Sequence, residues 1–179
     1  TVNQDDIQTY HLFFADDRGN PGTDMTFFDF PGIQKAQKGS NEIARSSFRV
    51  ANDDALAYWK KRFEKYQVTH EEVKVLFGRK ALFFRDFDDQ DYALFSDENI
   101  KGVASGVPWE KGPVPNEYAI TGLGPIFFRV QDIEKMKDVL TKKMHMDFVG
   151  KEENLYLFHM GEGGNGASVI VEHTPNLQR

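Results

Sequence analysis

Histidines and carboxylates are the side chains in this sequence that could bind a metal ion or move a proton. The histidines are scattered, without the H-x-H or H-x-x-x-H spacing that brings two imidazoles to one face of a strand or helix: His11, His70, His145, His159 and His173. Near the C-terminus, "VIVEH" places Glu172 directly beside His173. Adjacent residues of a regular strand point to opposite faces, so these two side chains cannot bind one ion. We therefore expect structural or surface roles for the histidines.

Two short segments resemble ligand-binding loops. "GEGGNG" (residues 161–166) matches the G-x-G-x-x-G pattern of dinucleotide-binding proteins, but it precedes a predicted strand, so no helix N-terminus is available to a pyrophosphate. "RDFDDQD" (residues 85–91) is acidic but lacks the central Gly and the terminal Glu of an EF-hand calcium loop. We predict a hairpin loop and a solvated turn. The residues alone thus indicate no metal-binding and no cofactor-binding residue, and the catalytic residues stay unknown.

The composition excludes some classes of partner. Acidic residues outnumber basic residues 28 to 22, and the net charge is -6. Nucleic-acid binding needs clustered Lys and Arg, so we expect no nucleic-acid partner, whereas small neutral or cationic partners and a homo-oligomer remain open. No uncharged apolar run approaches the roughly 18 residues that span a bilayer, and no signal peptide is recognisable, so we expect no membrane partner. The sequence contains no Cys, which fits a cytoplasmic location.

A strand-to-helix junction occurs twice in the chain. "FRVANDD" begins at Phe48 and "FRVQDIE" begins at Phe128, 80 positions later. Apolar and polar residues alternate before the first junction, as on a half-buried strand, and an apolar stripe at helical spacing follows each junction. Asn52 and Asp132 are suitable N-caps for the two helices. The predicted helices span residues 53–66 and 133–144.

Three short strand candidates follow each predicted helix, separated by polar or Gly-containing turns. They are "EEVKVLF", "ALFFRDF" and "YALFSD" after the first helix, and "MDFVG", "NLYLFHM" and "ASVIVEH" after the second. The sequence therefore predicts two βαβββ modules, at residues 40–99 and 119–175, joined by a Gly- and Pro-rich linker at residues 100–118. The expected fold class is α+β, with repeated βαβββ modules whose mixed, mainly antiparallel sheets have the helices outside.

Residues 1–31 align with the last two strands of such a module. Strand candidates lie on either side of Asn20-Pro21-Gly22, a turn in which Pro presets its own φ and Gly accepts a positive φ. We interpret them as the trailing strands of an incomplete first module, and the chain as an internal fragment of a longer protein. Four Phe-Phe pairs occur in the strand candidates. One Phe of each pair is expected in the core, and the other under a helix or a second sheet.

Several of these segments together resemble one enzyme family. They are "YHLFFADDRGNPGTDMTFF", "YWKKRFEKY" and "PWEKGPVPNEYAITGLG". With the βαβββ modules, they are similar to the hydroquinone-type ring-cleaving dioxygenases of the glyoxalase (vicinal oxygen chelate) superfamily. The resemblance implies four modules, Fe(II) as the cofactor of the full-length family member, and a small hydroquinone- or catechol-like aromatic substrate whose ring is opened.

The resemblance also implies where the iron ligands would lie. Non-haem iron of this kind takes two His and one carboxylate on one side of the metal, which leaves positions for the substrate and O2. In the family these ligands come from the first strand of module one and the first and last strands of module four, which this segment lacks. The matching slots in the modules present hold Arg45, Pro125, Thr26 and Ala93. We therefore expect a scaffold segment without metal, and would first consider Glu172, His159 and His173 if it bound one.

Two alternative functions remain open. The chain could be a metal-free module of the same superfamily that holds a hydrophobic small molecule in a cup of β-strands, which the missing ligand triad and the 13% aromatic content favour. It could also belong to a lyase or isomerase of the glyoxalase type. The adjoining reading frame distinguishes them, since a dioxygenase requires the missing His and Glu upstream and downstream.

Overall fold

The computed structural model of this chain describes residues 1–177. Within that range the α-helices are α1 (Asp53–Lys65) and α2 (Ile133–Asp138), and a π-helical turn over Val139–Lys143 continues α2. The strands, in chain order, are β1 (Tyr10–Phe14), β2 (Met25–Asp29), β3 (Glu42–Val50), β4 (Thr69–His70), β5 (Lys74–Leu76), β6 (Arg79–Arg85), β7 (Asp91–Ser96), β8 (Ile120–Leu123), β9 (Ile126–Val130), β10 (Asp147–Glu152), β11 (Leu155–His159) and β12 (Ser168–His173).

The strands form one hairpin and one large sheet. β1 and β2 pair as an antiparallel hairpin, and the other ten strands form a sheet whose main path is β10-β11-β12-β9-β3-β7-β6-β4, with β5 on β6 and β8 on β3. Two pairs, β9 with β12 and β3 with β7, are parallel, and the remaining pairs are antiparallel. The predicted α+β class with a mixed, mainly antiparallel sheet is confirmed. The division into modules at 40–99 and 119–175 stays a prediction.

The large sheet curls into a cup. β6 and β11 are five steps apart in the strand order, which would separate them by about 24 Å in a flat sheet. Yet Nη2 of Arg79 on β6 lies 2.5 Å from Nε2 of His159 on β11. Both ends of the sheet supply the buried core of the cup, which consists of Ala81, Phe83, Ala93, Phe95, Phe127, Leu157 and Ile170. Because these packed side chains occupy the interior, the cup is a core and not a binding cavity.

Each α-helix covers the outer face of the sheet, as predicted. α1 packs on Val50, Leu82 and Leu94, which alternate with the residues that face the cup. α2 and the turn after it pack on Phe158 and Val171 in the same way. The sheet is therefore apolar on both faces, with the cup core on one side and the helices on the other. No helix within residues 1–177 is long and apolar enough to cross a membrane.

Both helices begin at the predicted caps and end within one residue of the predicted ends. The side chain of Asn52 accepts a hydrogen bond from the backbone N–H of Ala55 at 2.9 Å, and Asp132 accepts one from Lys135 at 3.0 Å. α1 ends at Lys65, with Tyr66 as its C-cap. The second helix was predicted to continue to residue 144, but its last turn is π-helical. Leu140 within this wider turn and Met146 after it belong to the same buried cluster.

The Phe-Phe pairs behave as predicted only in the large sheet. Phe83 and Phe127 lie in the cup core, while Phe84 and Phe128 pack against the helix side. In the hairpin, the residues of both pairs are exposed, because within residues 1–177 no helix or second sheet covers it: Phe13, Phe14, Phe27 and Phe28. Strand β8, which follows the predicted linker, was not predicted either. It pairs with β3, and Gly122 within it interrupts the alternation that marks a strand.

Candidate functional site

A fixed cation occupies the position on β3 that was predicted, from the family resemblance, to match a metal ligand. The guanidinium carbon of Arg45 lies 4.0 Å from the ring centroid of Phe83 and 5.9 Å from that of Phe127. Its Nη1 donates a 2.8 Å hydrogen bond to the carbonyl oxygen of Tyr92. Burial lowers the pKa of Arg45, but a guanidinium remains protonated at neutral pH. The positive charge of Arg45 at this position repels a metal cation.

The other three slots offer no imidazole and no carboxylate. Ala93 is buried on β7, Pro125 is buried in the turn between β8 and β9, and Thr26 lies on β2 in the separate hairpin. Among residues 1–177, no group of three His, Asp or Glu side chains is arranged to hold a metal ion. The iron that the family resemblance implies therefore does not fit the donors in this part of the chain, and no reaction step can be derived through it here.

The three residues that would be considered first as metal ligands, Glu172, His159 and His173, do not meet at one point. Glu172 accepts a 2.9 Å hydrogen bond from Nε of Arg129 in an ion pair. His173 contacts the carbonyl oxygen of Gln131 through Nε2 at 3.1 Å. Glu172 pairs with the first residue of β11, and His159 is the last residue of that strand, four residues further on. At the usual rise of a strand the two positions are roughly 13 Å apart, too far for one ion.

A buried polar network, which the sequence did not predict, joins the Gly-rich loop after β11 to β6 and β7. Asn165 is fully buried in that loop. Its Nδ2 donates to the carbonyl oxygen of Ser96 at 2.9 Å and to Oδ1 of Asp97 at 2.8 Å, and its Oδ1 accepts from Nη1 of Arg79 at 3.1 Å. Asp97 also accepts a 2.7 Å bond from Nε of Arg49. Asn165 thus connects the two ends of the curled sheet.

His159 belongs to the same network as a hydrogen-bond acceptor. The guanidinium of Arg79 can only donate, so Nε2 of His159, 2.5 Å away, accepts and the ring proton is on Nδ1. Burial, and then the charge of Arg79, lower the pKa of His159, so the imidazole is neutral at physiological pH. Arg79 also donates to Oγ of Ser168 at 3.0 Å. The only signal of this site in the sequence is an Asn within a run of glycines. Two of these glycines, Gly163 and Gly164, adopt positive φ in the structure.

The acidic segment between β6 and β7 is a turn held by ion pairs. Oδ1 of Asp86 accepts hydrogen bonds from two backbone N–H groups of the turn, each 2.9 Å long. Asp91 is buried between Lys38 and Arg85, both of which donate to it. Burial raises the pKa of Asp91, but these hydrogen bonds outweigh that effect and hold the pKa below its ordinary value. The segment is therefore structural, and only part of it is solvated as predicted.

An apolar cavity of about 670 Å³ lies between the β1–β2 hairpin and the outer face of the large sheet. Its wall is mainly aromatic, with Leu12, Phe14 and Phe27 on the hairpin side and Phe48, Trp59 and Ile120 on the other side. Burial, and then the neighbouring Asp86, raise the pKa of Tyr92 in this wall to about 12, so its phenol is neutral. The cavity can hold an apolar group, and the carboxylates at its rim can attract a cation.

Comparisons with known proteins identify relatives of this chain. No protein-family model matches the chain. It is 36% identical over 184 residues to a Bacillus subtilis protein with the provisional name ring-cleaving dioxygenase MhqA, in a match that covers 100% of this chain and 58% of MhqA. It is 28% identical over 158 residues to the chlorohydroquinone/hydroquinone 1,2-dioxygenase of Sphingobium indicum, covering 87% of this chain and 48% of that enzyme. The chain spans about half the length of the curated relatives it matches.

Solved structures agree with the sequence relatives. A Bacillus subtilis protein provisionally described as a dioxygenase superposes with a TM-score of 0.83 at 29% identity, over 98% of this chain and 54% of that one. Glyoxalase I of Zea mays superposes with a TM-score of 0.63 at 13% identity, over 99% of this chain and 58% of that one, which is a likeness of fold alone. The chain therefore has the fold of the glyoxalases and is related along its whole length to proteins named as ring-cleaving dioxygenases.

Proposed function

We propose that this chain is the metal-free scaffold part of a non-haem Fe(II)-dependent dioxygenase that opens the ring of a hydroquinone- or catechol-like aromatic. The observation that supports the proposal most directly is the 36% identity to MhqA over the whole chain. The name of the Sphingobium indicum relative suggests the substrate class. In this proposal, iron is held by parts of the parent protein other than residues 1–177, whose donors do not form a ligand set.

The contribution of residues 1–177 in this proposal is rigidity. Catalytic groups must be held close to their productive geometry by packed and hydrogen-bonded neighbours. The cup core and the Asn165 network supply such a support, because they join strands that are far apart in the sheet. Arg45 takes the position of a ligand and excludes a second metal from the cup. A small aromatic substrate, no nucleic-acid partner and a cytoplasmic location are parts of the same proposal.

The binding-module alternative receives less support. It requires room for a ligand inside the cup, where packed aromatic and aliphatic side chains already lie. The lyase or isomerase alternative has only a likeness of fold to a plant glyoxalase I in its favour. The dioxygenase proposal has sequence relatives over the whole chain.

An exchange of segments tests the proposal. In the Sphingobium indicum hydroquinone dioxygenase, the matching region of 158 residues is replaced by the corresponding part of this chain. We expect the chimaera to bind iron and to cleave hydroquinone with O2 uptake, because the exchanged region supplies no ligand. The 179-residue chain alone is expected to purify with far less than one Fe, Mn or Zn per chain and to consume no O2 with hydroquinone.

Glu172→Gln serves as a control variant, and two results would contradict the proposal. Glu172→Gln in the chimaera should leave the iron content unchanged, because Glu172 pairs with Arg129 and not with a metal. One tightly bound metal per chain in the 179-residue protein would overturn the scaffold assignment. A chimaera that folds and binds iron but does not cleave the ring would contradict the dioxygenase assignment.

A further inference from the structure

We propose that a small polar cavity at one end of the cup is a binding site for the carboxylate group of a small organic acid. The cavity has a volume of about 130 Å³ and lies where β6 ends and β7 begins. Arg45, Thr69, Phe83, Arg85 and Asp91 are among the residues that line it. The proposal concerns a binding site and does not depend on the dioxygenase activity proposed above.

The cavity lies on the inner face of the sheet, next to the packed core of the cup. Arg85 is two residues after Phe83 on β6, so its side chain is on the same face as this core residue. Asp91 on β7 and Thr69 on β4 are the cross-strand partners of Arg85, one on each side of it. Arg45 reaches this end of the cup from β3 and lies over the ring of Phe83. The cavity is therefore an open continuation of the cup beyond its core.

Arg45 is a half-buried cation with unused hydrogen-bond donors. Among residues 1–177 it forms no ion pair, and its one hydrogen bond goes to the carbonyl oxygen of Tyr92. A guanidinium carries several N–H donors, so most of those of Arg45 stay available to a ligand in the cavity. Burial is the largest influence on the pKa of Arg45 and lowers it, so the nearby carboxylates of Asp91, Glu71 and Glu172 do not make up for the lost hydration.

Both carboxylates that line the cavity already have cationic partners. Asp91 accepts a 2.9 Å hydrogen bond from Nε of Arg85 and a second bond from Lys38. Glu71 accepts a 2.8 Å bond from Lys74. With the unpaired guanidinium included, four cations surround these two carboxylates. The cavity therefore has an excess of positive charge although the whole chain is acidic.

The arrangement of the donors fits a carboxylate. A guanidinium stacked on an aromatic ring keeps its N–H groups free in its own plane, where they can donate two parallel hydrogen bonds to a carboxylate. Arg85 binds Asp91 only through Nε, so its Nη groups are available as well, and Thr69 adds a hydroxyl. The cavity volume equals the share of roughly four waters in the liquid, enough for a carboxylate with a short carbon chain. Phosphate carries more negative charge at neutral pH and would be repelled more strongly by Asp91 and Glu71.

The probe for the test is acetate. Sodium acetate replaces sodium chloride at constant ionic strength and neutral pH, and NMR follows the side-chain Nε–H resonance of Arg45 in the isotopically labelled 179-residue chain. We expect a saturable shift with a dissociation constant in the millimolar range, which corresponds to a few charge-assisted hydrogen bonds. The internal control is Arg62, whose guanidinium also lies over an aromatic ring, 5.0 Å from the centroid of Tyr66, but does not line the cavity. Its resonance should not shift.

Two variants provide a matched comparison, with binding followed at the backbone amide of Thr69. Arg45→Gln removes the cation at the cavity and should weaken acetate binding roughly tenfold or more. Arg62→Gln removes a similar cation elsewhere and should leave binding unchanged. Circular dichroism and urea unfolding check that both variants are folded. If Arg45→Gln does not fold, the comparison of the Arg45 and Arg62 resonances in the unmodified chain decides the matter without it.

Four results would overturn the proposal. They are the absence of a saturable shift of Arg45 up to about 100 mM acetate, equal shifts of Arg45 and Arg62, unchanged affinity in folded Arg45→Gln, and tighter binding of phosphate than of acetate. The first three would show that Arg45 does not form an anion site. The fourth would show that the site does not select a carboxylate.

Discussion

Replacing Asn165 by Ala should cause a large loss of stability even though the residue lies in a glycine-rich loop. Its amide is fully buried and makes three hydrogen bonds, to Ser96, Asp97 and Arg79. An alanine side chain removes all three and leaves these partners away from bulk water. A loop residue in contact with solvent would tolerate the same change with little effect.

The magnitude follows from the partners. A net contribution of about 1 kcal/mol is typical of a bond between neutral groups, and about 1.5 to 3 kcal/mol of a bond to a charged group. One of the three bonds is neutral and two have charged partners, which sums to about 4 to 7 kcal/mol. Arg79 keeps its bond to Ser168, and Asp97 keeps its bond to Arg49. These remaining bonds reduce the expected loss for Asn165→Ala to about 3 to 5 kcal/mol.

Urea unfolding, followed by circular dichroism and by Trp fluorescence, measures this loss. With an m-value of about 2 kcal/mol/M, a loss of about 4 kcal/mol moves the midpoint down by about 2 M. The matched control is Asn154→Ala in an exposed turn, where the amide makes one 3.3 Å bond to the carbonyl oxygen of His173. We expect about 0.5 kcal/mol or less for this control. A loss under about 1 kcal/mol for Asn165→Ala would refute the reasoning that Asn165 connects the two ends of the sheet.

Three further predictions concern the core, α1 and the acid limit of stability. Phe158→Ala should cost about 3 to 5 kcal/mol in urea unfolding, because the ring is 0% exposed, while Phe87→Ala, 92% exposed, should cost less than about 0.5 kcal/mol. Trp59→Phe should cost about 1 kcal/mol in the same assay, because it removes the 2.7 Å bond from the indole N–H to the Tyr118 carbonyl oxygen. Asp91 has a lowered pKa in the folded state, so its stabilising effect is present above about pH 4 and is lost as the pH falls through that folded-state value. Asp91→Asn should therefore lower stability at neutral pH and flatten its fall below about pH 4, and unchanged pH profiles would contradict this assignment.

Secondary structure was predictable wherever it depends on neighbours in the chain. The caps Asn52 and Asp132 accept their hydrogen bonds from residues three positions later in the chain, so both caps could be predicted from the local sequence. The second helix ends within one residue of its predicted end at 144, but the sequence did not predict that its last turn, over Val139–Lys143, is π-helical. Leu140 in this turn and Met146 after it are both buried. That burial depends on the sheet beneath the helix and not on helix propensity.

Little of the candidate site could be predicted from the sequence. The family resemblance predicted that Arg45 stands at a ligand position, and the sequence did not predict that its guanidinium lies over Phe83 on another strand. The buried network of Asn165 was not predicted, since a short loop of glycines usually lies in solvent. The uncovered face of the hairpin was also missed, because the alternation that marks Leu12 and Phe14 as apolar does not say which element covers them.

By itself the sequence determined the repeated strand-to-helix junction, the mixed α+β class and the resemblance to ring-cleaving dioxygenases, because each of these rests on patterns that can be recognised within short segments of the chain. Tertiary structure decided which side chains meet across the cup. Arg79 and His159 are 80 positions apart in the chain and five strands apart in the sheet, and they touch because the sheet curls around a shared core. The curl results from the packing of many side chains together, and no short segment of sequence encodes it.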